Sequence, residues 1–161
     1  MATYNDVKRY GHIGGNPDAM TFGGFSGSNV LHQHFIMKIP ELVPLHQAGP
    51  ILCAGLTMYE PLKYHGATER KDMTIGIVGI GGLGSMGVKL AKCLGHKVVG
   101  ISHPHEKEIA YERGVDHFVD STDKDQMEKA KMSIDLILNT IPVGHQVSDY
   151  MNLLNFNGVI V

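Results

Sequence analysis

The sequence predicts an α/β fold organised around a parallel sheet, and three observations support this prediction. Short apolar runs alternate with amphipathic runs from about residue 74 onward, giving five predicted strands separated by four predicted helices. Two of these strands, residues 75–78 and 136–138, are apolar throughout, as expected when helices cover both faces of a sheet. A glycine-rich turn directly follows the first of them.

The residues before this region predict two strands and a helix. Residues 25–31 and 35–39 have strand-like composition, and Pro40 closes the second run because proline cannot donate to a sheet ladder. Apolar residues then recur at helical spacing over residues 44–62, and Pro44 suits a first helical turn. A polar loop is expected at residues 66–72.

The alternating region is predicted element by element. The strands are expected at residues 74–80, 97–102, 117–119, 134–140 and 158–161, and the helices at residues 83–94, 106–113, 123–131 and 145–154. In the first helix a stripe of small and apolar residues at i, i+3 and i+4 predicts packing on the sheet, and Cys93 is expected in the core. Gly95 and Gly114 stand where a left-handed cap would end a helix.

Composition favours a small molecule as the partner. With a net charge of -2, the chain gives no electrostatic reason to expect nucleic acid or an anionic membrane. No apolar run reaches the roughly 20 residues that span a bilayer, and the first residues lack a secretory signal. Cys53 and Cys93 form no disulfide framework, which fits a reducing compartment. We therefore expect a cytoplasmic protein.

The turn Gly79-Ile80-Gly81-Gly82-Leu83-Gly84 has the spacing G-x-G-x-x-G between a strand and a helix, the context that makes it a dinucleotide-binding fingerprint of the Rossmann type. Gly79 would make the tight turn, Gly81 would let a pyrophosphate approach the backbone, and Gly84 would let the helix pack close to the strand. The pyrophosphate would lie at the helix N-terminus, where unpaired N–H groups favour an anion. The alternative is a tight turn in another doubly wound fold.

The end of the second predicted strand indicates which dinucleotide binds. In NAD sites a carboxylate about 20 residues after the glycines bonds the ribose 2′-hydroxyl, and it would repel the 2′-phosphate of NADP. Here that position is Ser102, followed by His103 and, a few residues on, by Lys107. A neutral residue near a cation favours a 2′-phosphate, so we expect NADP rather than NAD. Alternatively, Lys107 is a solvated helix residue paired with Glu106 or Glu108.

Several motifs together resemble the zinc-dependent medium-chain alcohol dehydrogenases, in particular the cinnamyl alcohol dehydrogenase branch and its bacterial broad-specificity aldehyde reductase relatives. The resemblance runs through nearly the whole chain and rests on residues 23–26, 39–40, 50–57, 79–92 and 135–140. The stretch Leu52-Cys53-Ala54-Gly55-x-Thr57 is the most specific, because many dehydrogenases share the glycine turn.

The resemblance implies a fold and a division into domains. The fold would be a Rossmann-type doubly wound parallel sheet, with five of its six strands in this chain, preceded by a fragment of a GroES-like β domain. Residues 1–43 would be the tail of that β domain, residues 44–66 a connecting helix region, and residues 67–161 the NAD(P)-binding domain, incomplete at its C-terminus.

The resemblance also implies roles for single residues. Cys53 would be a ligand of the catalytic zinc, and Thr57, one helical turn onward, would be the catalytic candidate near the nicotinamide. The cofactor-binding residues would be Gly79, Ile80, Gly81, Gly82, Leu83, Gly84, Ser102, His103, Lys107, Thr140, Ile141 and Pro142. Asn139 stands where the family often has aspartate. Without the resemblance, Cys53 is a small apolar residue on a buried helix.

The implied activity is the reversible NADP-linked oxidation of a primary alcohol to an aldehyde, by hydride transfer at a zinc ion. Zinc is expected for the family rather than for this chain, because the family's other zinc ligands have no match in the sequence. The C-terminal segment that carries the family's homodimer contact is unmatched as well. Two alternatives remain: a truncated, catalytically inactive nucleotide-binding fragment, and a zinc-independent quinone-reductase-like enzyme, against which Cys53 argues.

Overall fold

The structure, a computed structural model, describes residues 27–30 and 32–161. The chain divides into two compact units, Met1–Pro40 and Glu41–Val161. In the described part of the first unit, the regular structure is one 3-10 turn at Gln33–Phe35.

The strands predicted at residues 25–31 and 35–39 are wrong for the residues that the structure describes. Residues 27–30 and 36–40 form no strand, and the rest of the first run lies outside the described residues. The Nδ1 of His32 accepts a hydrogen bond from the backbone N–H of His34 at 3.3 Å, and the N–H of Ile36 donates to the carbonyl of Gln33 at 3.1 Å. These local bonds turn the chain, because side chains that bond nearby backbone compete with a sheet ladder.

A helix through residues 45–64 opens the second unit, in agreement with the helix predicted at residues 44–62. It consists of α1 (Leu45–Pro50), five residues in the wider π pattern (Ile51–Gly55) and α2 (Leu56–Tyr64). The π segment starts directly after Pro50, which has no N–H to donate and so interrupts the regular hydrogen-bond series. The buried residues along this helix are Ala48, Gly55, Met58 and Leu62.

Five parallel strands form one sheet. They are β1 (Thr74–Val78), β2 (Lys97–Ser102), β3 (His117–Asp120), β4 (Ile134–Asn139) and β5 (Leu154–Ile160). Their order in the sheet is β3-β2-β1-β4-β5, and all neighbouring pairs are parallel. Ile75 in β1 pairs with Val98 on one side and with Leu136 on the other. This is the order of a Rossmann-type sheet, so the predicted fold class is confirmed.

Four helices connect the strands, as predicted: α3 (Gly82–Cys93), α4 (Lys107–Glu112), α5 (Lys124–Lys129) and α6 (Ser148–Met151). Helix α6 is much shorter than the helix predicted at residues 145–154, and β5 begins at Leu154 rather than at residue 158. The register of β5 against β4 shifts between Ile134 and Leu136, and Asn157 in β5 has a left-handed φ of 61°. Asparagine tolerates this conformation better than most residues, so the strand continues through the irregularity.

Buried side chains cover both faces of the sheet. One cluster joins α2, α3 and α4 to the sheet and includes Leu62, Ile75, Ile77, Val88, Ala110 and Leu136. The other lies on the opposite face and includes Val78, Ile101, Val119, Ile137, Tyr150 and Leu153. The sheet is therefore wound on both sides. No helix in the described part of the chain is long and apolar enough to cross a membrane.

The apolar stripe predicted on α3 is confirmed. Gly87, Val88 and Ala91 are buried in the helix, and Leu83, Met86, Leu90 and Leu94 pack against the core. The prediction that Cys93 lies in the core is wrong, since its side chain is exposed. Cys93 follows Ala91 by two residues, so the helical repeat of 3.6 residues directs it to the other face.

Candidate functional site

Two glycines close the turn between β1 and α3. Gly79 has a left-handed φ of 82°, which glycine adopts without strain. A Cβ added to Gly84 would lie 1.9 Å from the carbonyl oxygen of Gly79, far inside contact distance. The first position thus needs the conformation of glycine, and the second needs its lack of a side chain.

The glycines between them face open space. A Cβ at Gly81 or Gly82 would meet no heavy atom within 4 Å. Gly81 is the N-cap of α3, no side chain caps the helix there, and its first turn carries no acidic residue. The first N–H groups of a helix have no acceptor within the helix and carry the positive end of its dipole. This end of α3 can therefore accept an anionic group such as a pyrophosphate.

The end of β4 is fastened to this turn. The hydroxyl of Thr140 shares its hydrogen between the carbonyl oxygens of Val78, at 2.8 Å, and Gly79, at 2.9 Å. The backbone N–H of Thr140 also donates to Val78, at 3.0 Å. The residues after β1 and those after β4 therefore lie side by side and form two adjoining walls of a cavity.

These walls border a cavity of about 760 Å³ at the carboxyl ends of the strands. Ten of the twelve predicted cofactor residues line it: Gly79, Ile80, Gly81, Gly82, Leu83, Ser102, His103, Thr140, Ile141 and Pro142. Gly84 is outside the lining because it packs against the turn, and Lys107 is exposed and also outside it. The cavity lies where the strand order reverses, the usual ligand position in open α/β sheets.

Seven further residues line the cavity and were missed by the sequence reasoning: Ile101, Glu106, Ser121, Thr122, Val143, His145 and Tyr150. Ser121 and Thr122 follow β3, and the rule that ligands bind at the carboxyl ends of strands could have found them. The sequence gives no such signal for His145 and Tyr150, which come from the segment before β5.

A serine and a glutamate meet at the end of β2. Ser102, the last residue of β2, is 6% exposed, and its hydroxyl donates a hydrogen bond to the carboxylate of Glu106. Glu106 ends the 3-10 turn Pro104–Glu106, which follows β2 directly. Among the residues that line the cavity, Glu106 is the one Asp, Glu, Lys or Arg.

A histidine holds the segment after β4. The Nδ1 of His145 lies 2.8 Å from the carbonyl oxygen of Val143, and because a carbonyl oxygen only accepts, Nδ1 is the donor. The Nε2 then accepts from the side-chain amide of Asn139 at 2.9 Å. The ring of Tyr150 meets the imidazole edge-on, with centroids 5.8 Å apart. Burial, with a smaller contribution from the charge of Asp149, raises the pKa of Tyr150 above 10, so its phenol keeps its proton near neutral pH.

The structure places Cys53 and Thr57 apart from this cavity. Cys53 is exposed in the π segment, so the interpretation of it as a buried helix residue is wrong. Thr57 lines a separate cavity of about 450 Å³ with Glu60, Pro61, Tyr64, His65 and Val161. Among residues 27–30 and 32–161, no three His, Cys, Asp or Glu side chains are placed to hold a metal ion. Cys53 is thus a single candidate ligand, and the described residues do not fit a zinc site by themselves.

Comparison with known proteins assigns the chain to a family. Residues 82–161 match the family model described as zinc-binding dehydrogenase. A probable cinnamyl alcohol dehydrogenase of Picea abies is 46% identical over 161 residues, which cover 99% of this chain and 43% of that protein. A mannitol dehydrogenase of Apium graveolens is 41% identical over 159 residues, covering 98% of this chain and 43% of that protein. The chain therefore spans less than half the length of the curated relatives it matches.

Solved structures agree with this assignment. A cinnamyl alcohol dehydrogenase of Sorghum bicolor superposes with a TM-score of 0.75 at 39% identity, covering 80% of this chain and 36% of that one. A cinnamyl alcohol dehydrogenase of Helicobacter pylori, complexed with NADP(H), superposes with a TM-score of 0.67 at 38% identity, covering 77% of this chain and 34% of that one. These matches, with the strand order and the glycine turn, show that the chain belongs to the zinc-binding medium-chain alcohol dehydrogenase family, on its cinnamyl alcohol dehydrogenase-like branch.

Proposed function

We propose that this chain binds a nicotinamide dinucleotide and serves the interconversion of a primary alcohol and an aldehyde by hydride transfer. The observation that carries the proposal is the open space at Gly81 and Gly82, beside the N-terminus of α3 and within the cavity. On this proposal residues 67–161 are the nucleotide-binding domain and residues 44–66 the connecting helix region. Residues 1–43 are then the tail of a GroES-like domain.

The lining residues divide the cavity into regions of different chemistry. The N–H groups at the start of α3 and the bare backbone of Gly81 would hold the pyrophosphate. The end of β2, with Ser102 and His103, would meet the adenosine ribose. Thr140, Ile141 and Pro142 would lie along the nicotinamide ribose, where the bonds of Thr140 to Val78 and Gly79 keep the wall in place.

The finer expectation is that the cofactor is NADP(H). It draws support from the neutral Ser102 and from the Helicobacter pylori relative, whose structure contains NADP(H). Lys107, the other residue on which it depends, does not line the cavity. The carboxylate of Glu106, which does, opposes a 2′-phosphate.

The proposal includes a zinc ion with Cys53 as one of its ligands and Thr57 one helical turn away. When bound, zinc would polarise the alcohol oxygen as a Lewis acid and so favour departure of a hydride from the carbon. Zinc content of the purified chain, compared with that of Cys53→Ser, tests this part. Loss of bound zinc in the variant supports Cys53 as a ligand, and the same zinc content in both overturns it. Since both cysteines are free thiols, we also propose a cytoplasmic location.

A second candidate function is nucleotide binding without catalysis, favoured by the isolated position of Cys53. The test is calorimetric titration of the 161-residue chain with NADH and NADPH, followed by an assay of cofactor oxidation with an aromatic aldehyde. Binding with turnover supports the enzyme, whereas binding without turnover supports the second candidate. Binding of neither nucleotide contradicts both. A quinone-reductase-like enzyme predicts turnover with a quinone and no bound zinc.

A further inference from the structure

We infer that Glu106 selects the dinucleotide in this chain and that it favours NAD(H) over NADP(H). The inference rests on the proposed nucleotide site and narrows its cofactor. It reverses the preference expected from Ser102 and Lys107.

The carboxylate of Glu106 lies at the end of β2, beside Ser102. In NAD-binding sheets of this type, an acidic residue at the end of β2 accepts a hydrogen bond from the ribose 2′-hydroxyl. Here the last residue of β2 is Ser102, but the turn Pro104–Glu106 brings a carboxylate to the same strand end, where the serine hydroxyl donates to it. Because Ser102 is nearly buried, its hydroxyl is held in place as a donor to the carboxylate. Glu106 therefore supplies the carboxylate that NAD-binding sites carry on the last residue of β2, where this chain has Ser102.

The carboxylate of Glu106 can accept a further hydrogen bond beside the one from Ser102. An ionised carboxylate accepts through two oxygens, and Ser102 donates to Oε2 of Glu106. The other oxygen, Oε1, has no hydrogen-bond partner within the part of the chain that the structure describes. It can accept from a ribose hydroxyl. It cannot donate a hydrogen bond to a 2′-phosphate, which at neutral pH is itself an acceptor.

The charge around the cavity disfavours a 2′-phosphate. A phosphate ester carries roughly two negative charges at neutral pH, and NADP binding sites normally neutralise them with Arg or Lys. No Lys or Arg is among the lining residues. Neither Arg113 nor Lys107 lines the cavity: the guanidinium of Arg113 donates to the carbonyl of Ile80, which is a lining residue, and Lys107 is exposed. A 2′-phosphate would thus approach a carboxylate with no cation between them.

The variant that tests this is Glu106→Gln, which keeps the length of the side chain and an oxygen for Ser102 but removes the charge. Lys107→Gln is the matched control, since it removes the neighbouring cation on which the NADP expectation depends. The wild-type chain and both variants are titrated with NADH and NADPH by calorimetry at pH 8.

We expect the wild type to bind NADH more tightly than NADPH. Glu106→Gln should move the ratio of the two affinities toward NADPH by roughly tenfold or more, the scale of removing one close like charge. Lys107→Gln should leave the ratio unchanged. A wild-type preference for NADPH, or an unchanged ratio in Glu106→Gln, overturns the inference and leaves the proposed function standing. Loss of NADPH affinity in Lys107→Gln would restore the original expectation.

A second measurement needs no variant. Adenosine 5′-monophosphate and adenosine 2′,5′-bisphosphate differ by the 2′-phosphate alone, so their affinities for the wild-type chain isolate the ribose end of the cavity. Tighter binding of the monophosphate supports the inference, and tighter binding of the bisphosphate overturns it. Should neither these nor the dinucleotides bind, the proposed function fails and the inference fails with it.

Discussion

His96 and Ala67, 29 residues apart, are joined by a buried hydrogen bond in which the imidazole Nε2 lies 2.7 Å from the backbone carbonyl oxygen. Both residues are almost fully buried, His96 at 2% exposure and Ala67 at 0%. The bond ties the loop after α2 to the start of β2. Because a carbonyl only accepts, Nε2 is the donor.

His96→Leu should lower the free energy of unfolding by about 1–3 kcal/mol, because the buried carbonyl of Ala67 would lose its partner. Urea denaturation measures this. The control is His117→Leu, which replaces an exposed histidine at the start of β3 and should change stability by no more than about 0.5 kcal/mol. Equal effects of the two substitutions would contradict the structural role of His96.

Gly84→Ala should destabilise the chain by about 1–3 kcal/mol or more, because its Cβ would overlap the carbonyl oxygen of Gly79 and force α3 away from the turn. Gly49→Ala, in α1, is the control: a Cβ there meets no atom within 4 Å, and alanine favours a helix by up to about 1 kcal/mol. Thermal unfolding should separate the two variants. A Gly84→Ala protein as stable as the wild type would exclude the close approach of helix and turn.

Gly81→Ala should leave stability nearly unchanged and weaken dinucleotide binding. Its backbone is extended with a negative φ of -73°, so the position does not require the left-handed conformation of glycine, and the added methyl group would enter the cavity rather than the protein. We therefore expect stability within about 0.5 kcal/mol of the wild type but an affinity for dinucleotide weaker by roughly tenfold. Calorimetry on a sample with verified thermal stability measures this, and unchanged affinity would place the pyrophosphate elsewhere.

His145→Ala should loosen the segment after β4, because it removes the bonds to Val143 and Asn139 that fold this segment back. We expect faster hydrogen exchange at residues 141–147 and weaker dinucleotide binding. His117→Ala is the control, since His117 is exposed and outside the cavity lining. Equal exchange rates in the His145 variant and the wild type would show that the bonds do not hold the segment.

Asp116 should contribute stability that depends on pH. Desolvation would raise its pKa, but hydrogen bonds from Lys92 and the Val98 backbone and the charges of Lys92 and Lys97 outweigh it, so the pKa lies below 3.8. A carboxyl with a lowered pKa stabilises the fold above its unfolded pKa, and this stability is lost as pH falls through the folded pKa.

The wild type should thus be more stable than Asp116→Asn at pH 7, by no more than about 1 kcal/mol because the ion pair is partly exposed. The difference should shrink as pH falls below about 3.8. Asparagine can still accept from Val98, so the comparison isolates the charge. Melting temperatures from pH 7 to 3 test this, and Lys92→Met should reproduce part of the loss at pH 7. A difference that stays constant with pH would contradict it.

Much of the sheet could be predicted from the sequence because its central strands are buried on both faces and read as continuous apolar runs. The start of β5 could not, since Asn155, Phe156 and Asn157 are exposed and no apolar pattern marks them. The turn at Gln33–Phe35 was missed for a different reason. A hydrogen bond between His32 and His34 decides it, and strand propensity carries no information about such bonds.

Part of the candidate site could likewise be predicted from a local sequence pattern, and part of it could not. The glycine turn could be predicted because its conformation and close contacts are encoded within six consecutive residues. Glu106 and His145 could not, because they reach the cavity through turns whose direction depends on hydrogen bonds to Ser102 and Asn139. The sequence predicts Lys107 at the nucleotide, whereas the structure places its neighbour Glu106 in the cavity lining.

The pairing of β1 with β4 has a consequence for the order of folding. Gly79 and Thr140 are 61 residues apart, and they meet only when these two strands pair across the middle of the sheet. Closing so long a loop is slow, whereas β1 and β2 lie close along the chain. On the proposed function, a dinucleotide that contacts the residues after both strands binds only a chain in which β1 and β4 are paired. Bound dinucleotide should therefore stabilise the fold by holding β1 and β4 together.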